Sequence, residues 1–121
     1  MPIVSDVMSP YVISTSPSDS VETARETLVT HGVNCLPVLD NEHLMGVVSA
    51  WDLNKVPVGD SPVSEVMTTK VEKIGPHDTT TEAARRMVDA FIHHLVVIGE
   101  KGEVLGVLSS FDLLPELAER D

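Results

Sequence analysis

The sequence predicts an α+β fold, of the α/β sandwich type, in which two β-α-β-β-α repeats pack with pseudo-twofold symmetry. Two repeated phrases lead to this prediction. GVVSAWDL at residues 46–53 returns as GVLSSFDL at residues 106–113. Upstream of these copies, VSDVM at residues 4–8 returns as VSEVM at residues 63–67. The same phrases in the same order indicate that one structural unit occurs twice in the chain.

The repeats divide the chain of 121 residues into a first repeat (1–56), a linker (57–62) and a second repeat (63–121). The linker contains Pro and Gly, which interrupt regular structure. A repeat of this size buries only a marginal core by itself, so we expect the two repeats to pack face to face. Because the repeats fill the sequence, we expect a stand-alone module.

Charge and composition restrict the partners of this chain. There are 19 acidic residues against 8 Lys and Arg, and the net charge is −11. Such a surface repels phosphate backbones and anionic lipid, which argues against binding to nucleic acid or membranes. No apolar run reaches the length of a membrane span, and no leader is evident. The single cysteine suits a reducing, cytoplasmic location, and the acidic excess also fits a salt-rich cytoplasm.

Each repeat is expected to begin with an extended segment, at residues 11–15 and 70–74, followed by a helix. Ser20 stands where a helix cap is expected. The aligned Thr79 forms T-x-x-E with Glu82, which is the pattern of a capping box. Apolar residues then recur at helical spacing in the first copy: Val21, Ala24 and Leu28.

Turn signals place the remaining elements of each repeat. Gly32 can end the first helix in the left-handed conformation. Phe91 holds the aligned position in the second copy, so we expect that helix to end differently. A β-hairpin and a second helix, starting at Ala50 or Ser110, complete each repeat. The predicted hairpin strands are residues 36–39 with 44–49, and residues 95–98 with 104–109.

The order of these phrases resembles that of paired cystathionine-β-synthase (CBS) domains, also called a Bateman module. The resemblance rests on V-M-[ST], on [SG]-P-x-D before a helix, on L-P-V-L-D or L-V-V-I-G, and on G-h-h-S-x-x-D-L with h apolar. The pattern occurs once in each repeat, and the two copies together cover nearly the whole chain. It implies a regulatory, non-catalytic module that binds an adenosine-containing ligand in clefts between the repeats and signals by conformational change to a partner.

The resemblance also implies which ligands and partners are expected. No cofactor is required. The expected ligand is AMP, ADP or ATP. S-adenosylmethionine and NADH are the alternative ligands, and Mg²⁺ is expected to bind only together with ATP. Two copies are expected to form a homodimer, a disc of four repeats, whose parallel or antiparallel arrangement stays open. The regulated protein is not named by the sequence.

By resemblance, the motif Asp binds the ribose hydroxyls and the motif Ser lies beside the ribose or phosphate, at Ser49, Asp52, Ser109 and Asp112. A carboxylate can accept hydrogen bonds from both ribose hydroxyls. The Gly of each phrase lets backbone approach a ligand or lets the strand bend. The residues expected to contact the adenine are here called the adenine wall. In the cleft that contains Asp112, this wall is expected to consist of Val107 together with residues of the first repeat: Val12, Ile13, Val33, Asn34 and Cys35. The Asp52 cleft is expected to contain Val47, with Val71, Ile92, His93 and His94 of the second repeat.

The two histidines are expected to bind phosphate, so the Asp52 cleft is the expected phosphate site. The alternative interpretation is structural. Ser-x-x-Asp is also a capping box at a helix start, and the apolar residues and Cys35 are equally typical of a core. The chain would then be a dimerisation or protein-interaction module without nucleotide.

Metal binding and catalysis are not expected. The histidines lack metal-ligand spacing: His31, His43, His77, His93 and His94. Ser109, His94 and Asp112 can be drawn as a catalytic triad, but no nucleophile elbow or oxyanion loop accompanies them.

Overall fold

A computed structural model describes residues 2–56 and 59–119. Residues 57 and 58 of the expected linker, and residues 1, 120 and 121 of the expected repeats, lie outside the described residues. The elements in chain order are α1 (Val4–Val7), α2 (Val21–His31), β1 (Cys35–Asp40), β2 (His43–Ser49), α3 (Ala50–Asn54), a 3₁₀ turn (Val63–Glu65), β3 (Lys73–Ile74), α4 (Thr80–Ala90), β4 (His94–Ile98), β5 (Val104–Ser109) and α5 (Ser110–Glu119).

The chain forms two compact units that interleave the two sequence repeats. The continuous unit is Ile13–Val71, and the split unit combines Met1–Val12 with Glu72–Asp121. VSDVM therefore belongs with the second hairpin, and VSEVM with the first. The predicted division into repeats and linker (1–56, 57–62 and 63–121) describes the sequence and stays a prediction. Its boundaries differ from those of the two compact units.

In the continuous unit, β1 and β2 form the predicted antiparallel hairpin, with a bulge between Val38 and Leu39. The expected extended segment at 11–15 contributes only one parallel bridge, from Thr15 to Val38, and Thr68 bridges Val47 on the other edge. The helix and hairpin bury a shared core. Its members are Val21, Ala24, Leu28, Leu36, Val38, Val48, Leu53 and Val63.

In the split unit, β4 and β5 form the second antiparallel hairpin, with its bulge between Val97 and Ile98. The expected segment 70–74 supplies a strand of only two residues, β3, parallel to β4. The mixture of helices and small sheets confirms the predicted fold class. The core members are Val4, Ile74, Ala83, Met87, Leu95, Val97 and Leu108. No helix within the described ranges is long and apolar enough to cross a membrane.

The phrases VSDVM and VSEVM form short helical turns that dock on the Pro-x-Asp loops. The Val63 N–H donates to the carbonyl oxygen of Asp19 at 2.8 Å, and the Val4 N–H donates to that of Asp78 at 2.9 Å. Each valine also enters the core of its unit. The sequence did not predict these turns, because a single turn is too short to show helical periodicity.

The first helix of each unit has the expected cap. Ser20 Oγ accepts a hydrogen bond from the Thr23 N–H at 3.0 Å, and Thr79 Oγ1 accepts one from the Glu82 N–H at 3.1 Å. The Thr79 N–H does not donate to the Glu82 carboxylate, so the second bond of the expected capping box is not formed. That carboxylate instead pairs with two arginines, Arg85 at 3.3 Å and Arg86 at 3.4 Å.

The two helices end in the same way, contrary to prediction. Gly32 has φ 64 and ψ 34, and Phe91 has φ 55 and ψ 45. Each N–H donates to the carbonyls three and four residues earlier. The left-handed conformation costs a residue with a Cβ roughly 1–2 kcal/mol. Phe91 therefore carries a strain that Gly32 does not.

Candidate functional site

Each Ser-x-x-Asp motif joins a hairpin strand to the following helix and forms a complete capping box. The Ser49 N–H donates to Asp52 Oδ2 at 3.0 Å, and the Asp52 N–H donates to Ser49 Oγ at 3.2 Å. The corresponding distances for Ser109 and Asp112 are 2.8 Å and 3.3 Å. The capping role, one of the two interpretations of the sequence, is therefore present in both copies.

The capping bonds leave one oxygen of each carboxylate available for a ligand. Ser49 and Ser109 donate to Oδ2 only. Lys55 Nζ lies 3.9 Å from Oδ1 of Asp52. Within the described part of the chain, Oδ1 of Asp112 has no hydrogen-bond or ion-pair partner. An ionised carboxylate held in this way can accept strong hydrogen bonds from hydroxyl groups.

The histidine pair lies beside the motif of its own unit. His94 pairs with Ser109 across the antiparallel hairpin, and the Ser110 N–H donates to the carbonyl oxygen of His93 at 2.8 Å. Burial lowers the pKa of His94, the neighbouring His93 lowers it further, and Asp112 opposes both. His94 is therefore neutral at pH 7 and offers one donor and one acceptor nitrogen.

The aligned junction of the continuous unit is uncharged. Cys35 pairs with Ser49, and the Ala50 N–H donates to the carbonyl oxygen of Asn34 at 2.9 Å. Burial, with a smaller effect from Asp52, raises the pKa of the Cys35 thiol to about 12. Cys35 is only 6% exposed and is part of the buried interior, so its thiol is unreactive in the folded chain.

The sequence predicts His93 and His94 for the Asp52 cleft, and Asn34 and Cys35 for the Asp112 cleft, and this assignment across the repeats stays a prediction. Within each unit, the structure places the junction next to the motif of that same unit. The antiparallel hairpin accounts for this placement. When two strands pair antiparallel, the start of the first lies beside the end of the second.

Most of the other residues that the sequence predicts beside the adenine are only partly exposed to solvent. Six of them are half-buried: Ile13, Val33, Val47, Val71, Ile92 and Val107. Val12 and Asn34 are exposed. Partial exposure of an apolar side chain suits a ligand wall, but it also occurs at the margin of any core.

The glycine of each phrase makes room for the chain's own backbone. A Cβ on Gly46 would lie 2.6 Å from the carbonyl oxygen of Thr68, and one on Gly106 would lie 2.9 Å from that of Ser9. Met67 and Met8 pack over the same glycines. The close approach expected for a ligand is thus made by the segment that follows each VSxVM phrase.

The two arginines near these motifs donate hydrogen bonds to backbone carbonyl oxygens of the chain itself. Arg25 donates to the carbonyl oxygens of Leu53 and Val56 and thereby closes the end of α3. Arg86 donates to the carbonyl oxygen of Lys73.

The arrangement does not support a catalytic triad. In a triad the acid orients the histidine, whereas here Asp112 accepts from the Ser109 N–H. Among residues 2–56 and 59–119, no three His, Cys, Asp or Glu side chains converge as a metal site would require.

The chain matches one family model and is similar to parts of known enzymes. The family model for the CBS domain matches residues 4–59 and 63–119. The chain is 36% identical over 102 residues to inosine-5'-monophosphate dehydrogenase from Korarchaeum cryptofilum, covering 84% of this chain and 21% of that protein. It is 30% identical over 123 residues to L-aspartate semialdehyde sulfurtransferase from Methanosarcina acetivorans, covering 99% and 25%. The chain thus spans about a quarter or less of the enzymes it matches.

Solved structures share the fold. The CBS domain pair of protein MJ0100, in complex with 5'-methylthioadenosine and S-adenosyl-L-methionine, has a TM-score of 0.93 at 24% identity and covers 100% of this chain and 99% of its own. CBSX2 in complex with AMP has a TM-score of 0.84 at 28% identity, covering 98% of each chain. The cytosolic domain of the Mg²⁺ channel MgtE, in complex with ATP, has a TM-score of 0.82 at 25% identity, covering 95% of this chain and 48% of its own.

Proposed function

The chain belongs to the CBS domain family, a family of regulatory rather than catalytic modules, and we propose that it senses an adenine nucleotide. The nucleotide binds at the Ser-x-x-Asp motifs and changes the conformation that a partner protein recognises. Such coupling is typically worth about 1–3 kcal/mol, which is sufficient for a signal without chemistry.

One observation carries the proposal. Each motif carboxylate is fixed by the backbone N–H of its serine through Oδ2, which leaves Oδ1 to accept from a ribose. The support from related proteins is the presence of AMP on CBSX2 and of ATP on the MgtE domain.

We assign the preferred phosphate-bearing ligand, AMP or a longer nucleotide, to the Asp112 site. His93 and His94 lie next to that motif and can donate hydrogen bonds to phosphate oxygens. The helix that begins at Ser110 adds backbone N–H groups at its positive end. The Asp52 site has Asn34 and the buried Cys35 in the aligned places and suits the uncharged part of a nucleoside.

The proposal includes a homodimer, an unidentified regulated protein and a cytoplasmic location. The regulated protein would distinguish the nucleotide-bound shape from the free one. Neither catalysis nor a resident metal is required.

Thermal unfolding with each nucleotide is the direct test. AMP, ADP, ATP with and without Mg²⁺, S-adenosylmethionine and NADH are compared, each in large excess. A ligand at 100 times its Kd adds about 2.7 kcal/mol of stability, which raises the Tm of a domain this size by several degrees. GMP is the control for recognition of the base.

The matched variants are Asp112→Asn and Asp52→Asn. The Asn carbonyl oxygen can still accept from the serine N–H and keep the cap, but its NH₂ group cannot accept from ribose. We expect Asp112→Asn to abolish the shift with AMP and Asp52→Asn to retain most of it. An equal AMP shift in Asp112→Asn would contradict the assignment, and no shift with any nucleotide would contradict the proposal.

The second candidate is a structural module without nucleotide, and the two complete capping boxes favour it. In that case the Asn variants behave like the parent with every compound. The module would then act only through protein contacts, and pull-down with a tagged chain would be the next experiment.

A further inference from the structure

The two motif carboxylates differ in one neighbour. In the continuous unit, Lys55 Nζ lies 3.9 Å from Oδ1 of Asp52, which is the oxygen that the capping box leaves free. The aligned residue of the second repeat is Pro115, and among the described residues Oδ1 of Asp112 has no ion-pair partner. The oxygen assigned to a ribose therefore already has a cationic partner in one site and lacks it in the other.

The backbone around Lys55 is fixed. Lys55 is the C-cap of α3, and its N–H donates to the carbonyl oxygens of Asp52 and Leu53. Arg25 donates to the carbonyl oxygens of Leu53 and Val56, which lie on either side of Lys55. The ammonium group therefore reaches or leaves the carboxylate by rotamer changes of its own side chain alone.

An aromatic ring provides a second contact for the same ammonium group. Lys55 Nζ lies 5.6 Å from the centroid of the Trp51 ring, within the range of a cation–π attraction. The Trp51 side chain is largely exposed, whereas the Asp52 side chain is only 14% exposed. Lys55 thus has two partners on its own helix that hold its charge near Oδ1, although its side chain is 59% exposed.

We propose that Lys55 competes with the ligand for the free oxygen of Asp52 and thereby determines the affinity of this site for a nucleoside. A ribose hydroxyl that donates to Oδ1 must replace the ammonium contact, because both donors approach the same oxygen. The Asp52 site therefore binds an uncharged nucleoside more weakly than it would without Lys55. This inference rests on the proposed function, and it names the residue that separates two otherwise matched motifs.

The competition gives nucleoside binding an unusual dependence on salt. The attraction between an exposed ammonium and a carboxylate weakens as the ionic strength rises. Adenosine has no net charge near pH 7, so salt acts mainly on its competitor. Adenosine should therefore bind the Asp52 site more tightly at higher salt.

Calorimetric titration with adenosine tests the competition at one site. The Asp112→Asn background confines the measurement to the Asp52 site. Adding Lys55→Met removes the charge and keeps an apolar stem beside Trp51. We expect the adenosine Kd to fall about two- to fivefold, which is the range that an exposed ion pair gives. Lys55→Arg is the matched control, because it keeps a cation and should leave the Kd close to that of the background protein.

Two further readouts separate competition from a structural role of Lys55. Raising NaCl from about 0.1 M to about 1 M shortens the Debye length from about 10 Å to about 3 Å. We expect this to tighten adenosine binding when Lys55 is present and to have a much smaller effect with Lys55→Met. Trp51 is the only tryptophan of the chain, so its fluorescence reports when the ammonium group leaves the ring. Adenosine should change this fluorescence more with Lys55 than with Lys55→Met.

Three results would overturn the inference: an adenosine Kd that Lys55→Met leaves unchanged, a Kd that it raises, or an equal salt effect in both proteins. Adding Asp52→Asn to the Asp112→Asn background shows whether the proposed site binds adenosine at all. If this change removes binding, the proposed site stands even when the Lys55 tests fail. If adenosine binds neither the parent nor any variant, the proposed function fails and the inference fails with it.

Discussion

At the scale of single residues, the aspartate of each motif has two compatible roles. One oxygen accepts from the serine N–H at the helix start, and in Asp112 the other oxygen has no donor among the residues that the structure describes. In the continuous unit Lys55 is near that second oxygen, but it is largely exposed, so a ligand can displace it at little cost.

Replacing either aspartate by alanine should lower the stability of the nucleotide-free protein. The serine N–H loses its carboxylate acceptor, while the serine Oγ cap remains. The loss of one such hydrogen bond typically costs about 0.5–1.5 kcal/mol. Urea unfolding of Asp52→Ala and Asp112→Ala measures the loss, and the asparagine variants are the controls that keep an acceptor. Equal stabilities of the alanine variant and the parent would show that the caps contribute nothing.

His94 should make stability depend on pH. Its folded-state pKa lies below the ordinary value of 6.5, so the unfolded chain takes up the proton first as the pH falls. The stability from neutral His94 is fully present above about pH 6.5 and is lost as the pH falls through the folded pKa. We expect His94→Gln to lose less stability than the parent between pH 7 and pH 5, in urea unfolding. Parallel losses in the two proteins would contradict this origin.

At the scale of elements, each hairpin packs closely against the segment that crosses it because the residue at the contact is a glycine, which has no side chain. Gly46→Ala should destabilise the fold, because its Cβ would lie 2.6 Å from a backbone oxygen that cannot move alone. Overpacking of this kind costs about 1–3 kcal/mol. Gly106→Ala should cost somewhat less, since its closest distance is 2.9 Å.

Gly59→Ala is the control for both glycine variants. It has open space around it and no positive φ, so it should be neutral or slightly stabilising. Thermal unfolding of the three variants under one condition compares them. A ranking in which Gly59→Ala is the most damaging would show that the close approach is not what selects glycine.

The hairpins and long helices were predictable because each has a local signal that occurs twice. β1 and β4 extend the predicted strands by at most a residue or two, and Ser20 caps α2 as expected. The end of α4 was not predictable, since Phe91 adopts a conformation that its own chemistry disfavours. The backbone hydrogen bonds that end the helix, and the packing of the following Ile92 against the core, fix this conformation.

The candidate site was predictable in its residues but not in its geometry. The phrase itself locates Ser49, Asp52, Ser109 and Asp112. Sequence cannot decide between a cap and a ligand site, because both roles use the same spacing. The partners of His93 and His94 depend on hairpin register and on long-range packing, which no short motif contains.

At the scale of the whole molecule, the units interleave the sequence repeats, and this predicts which fragments fold. Residues 13–71 contain every member of the continuous-unit core. Residues 1–59, a fragment of equal length, lack Val63. We expect the first fragment to show more helix and cooperative unfolding in circular dichroism than the second. Equal behaviour would mean that the VSEVM turn is dispensable.

The split unit also has a consequence for biosynthesis. Its opening segment leaves the ribosome first, yet its partners Gly106 and Asp78 are translated much later. The continuous unit can assemble as it emerges, whereas the first dozen residues must wait for β5. During that interval Val4 and Met8 are exposed to chaperones, and the rate of translation sets how long.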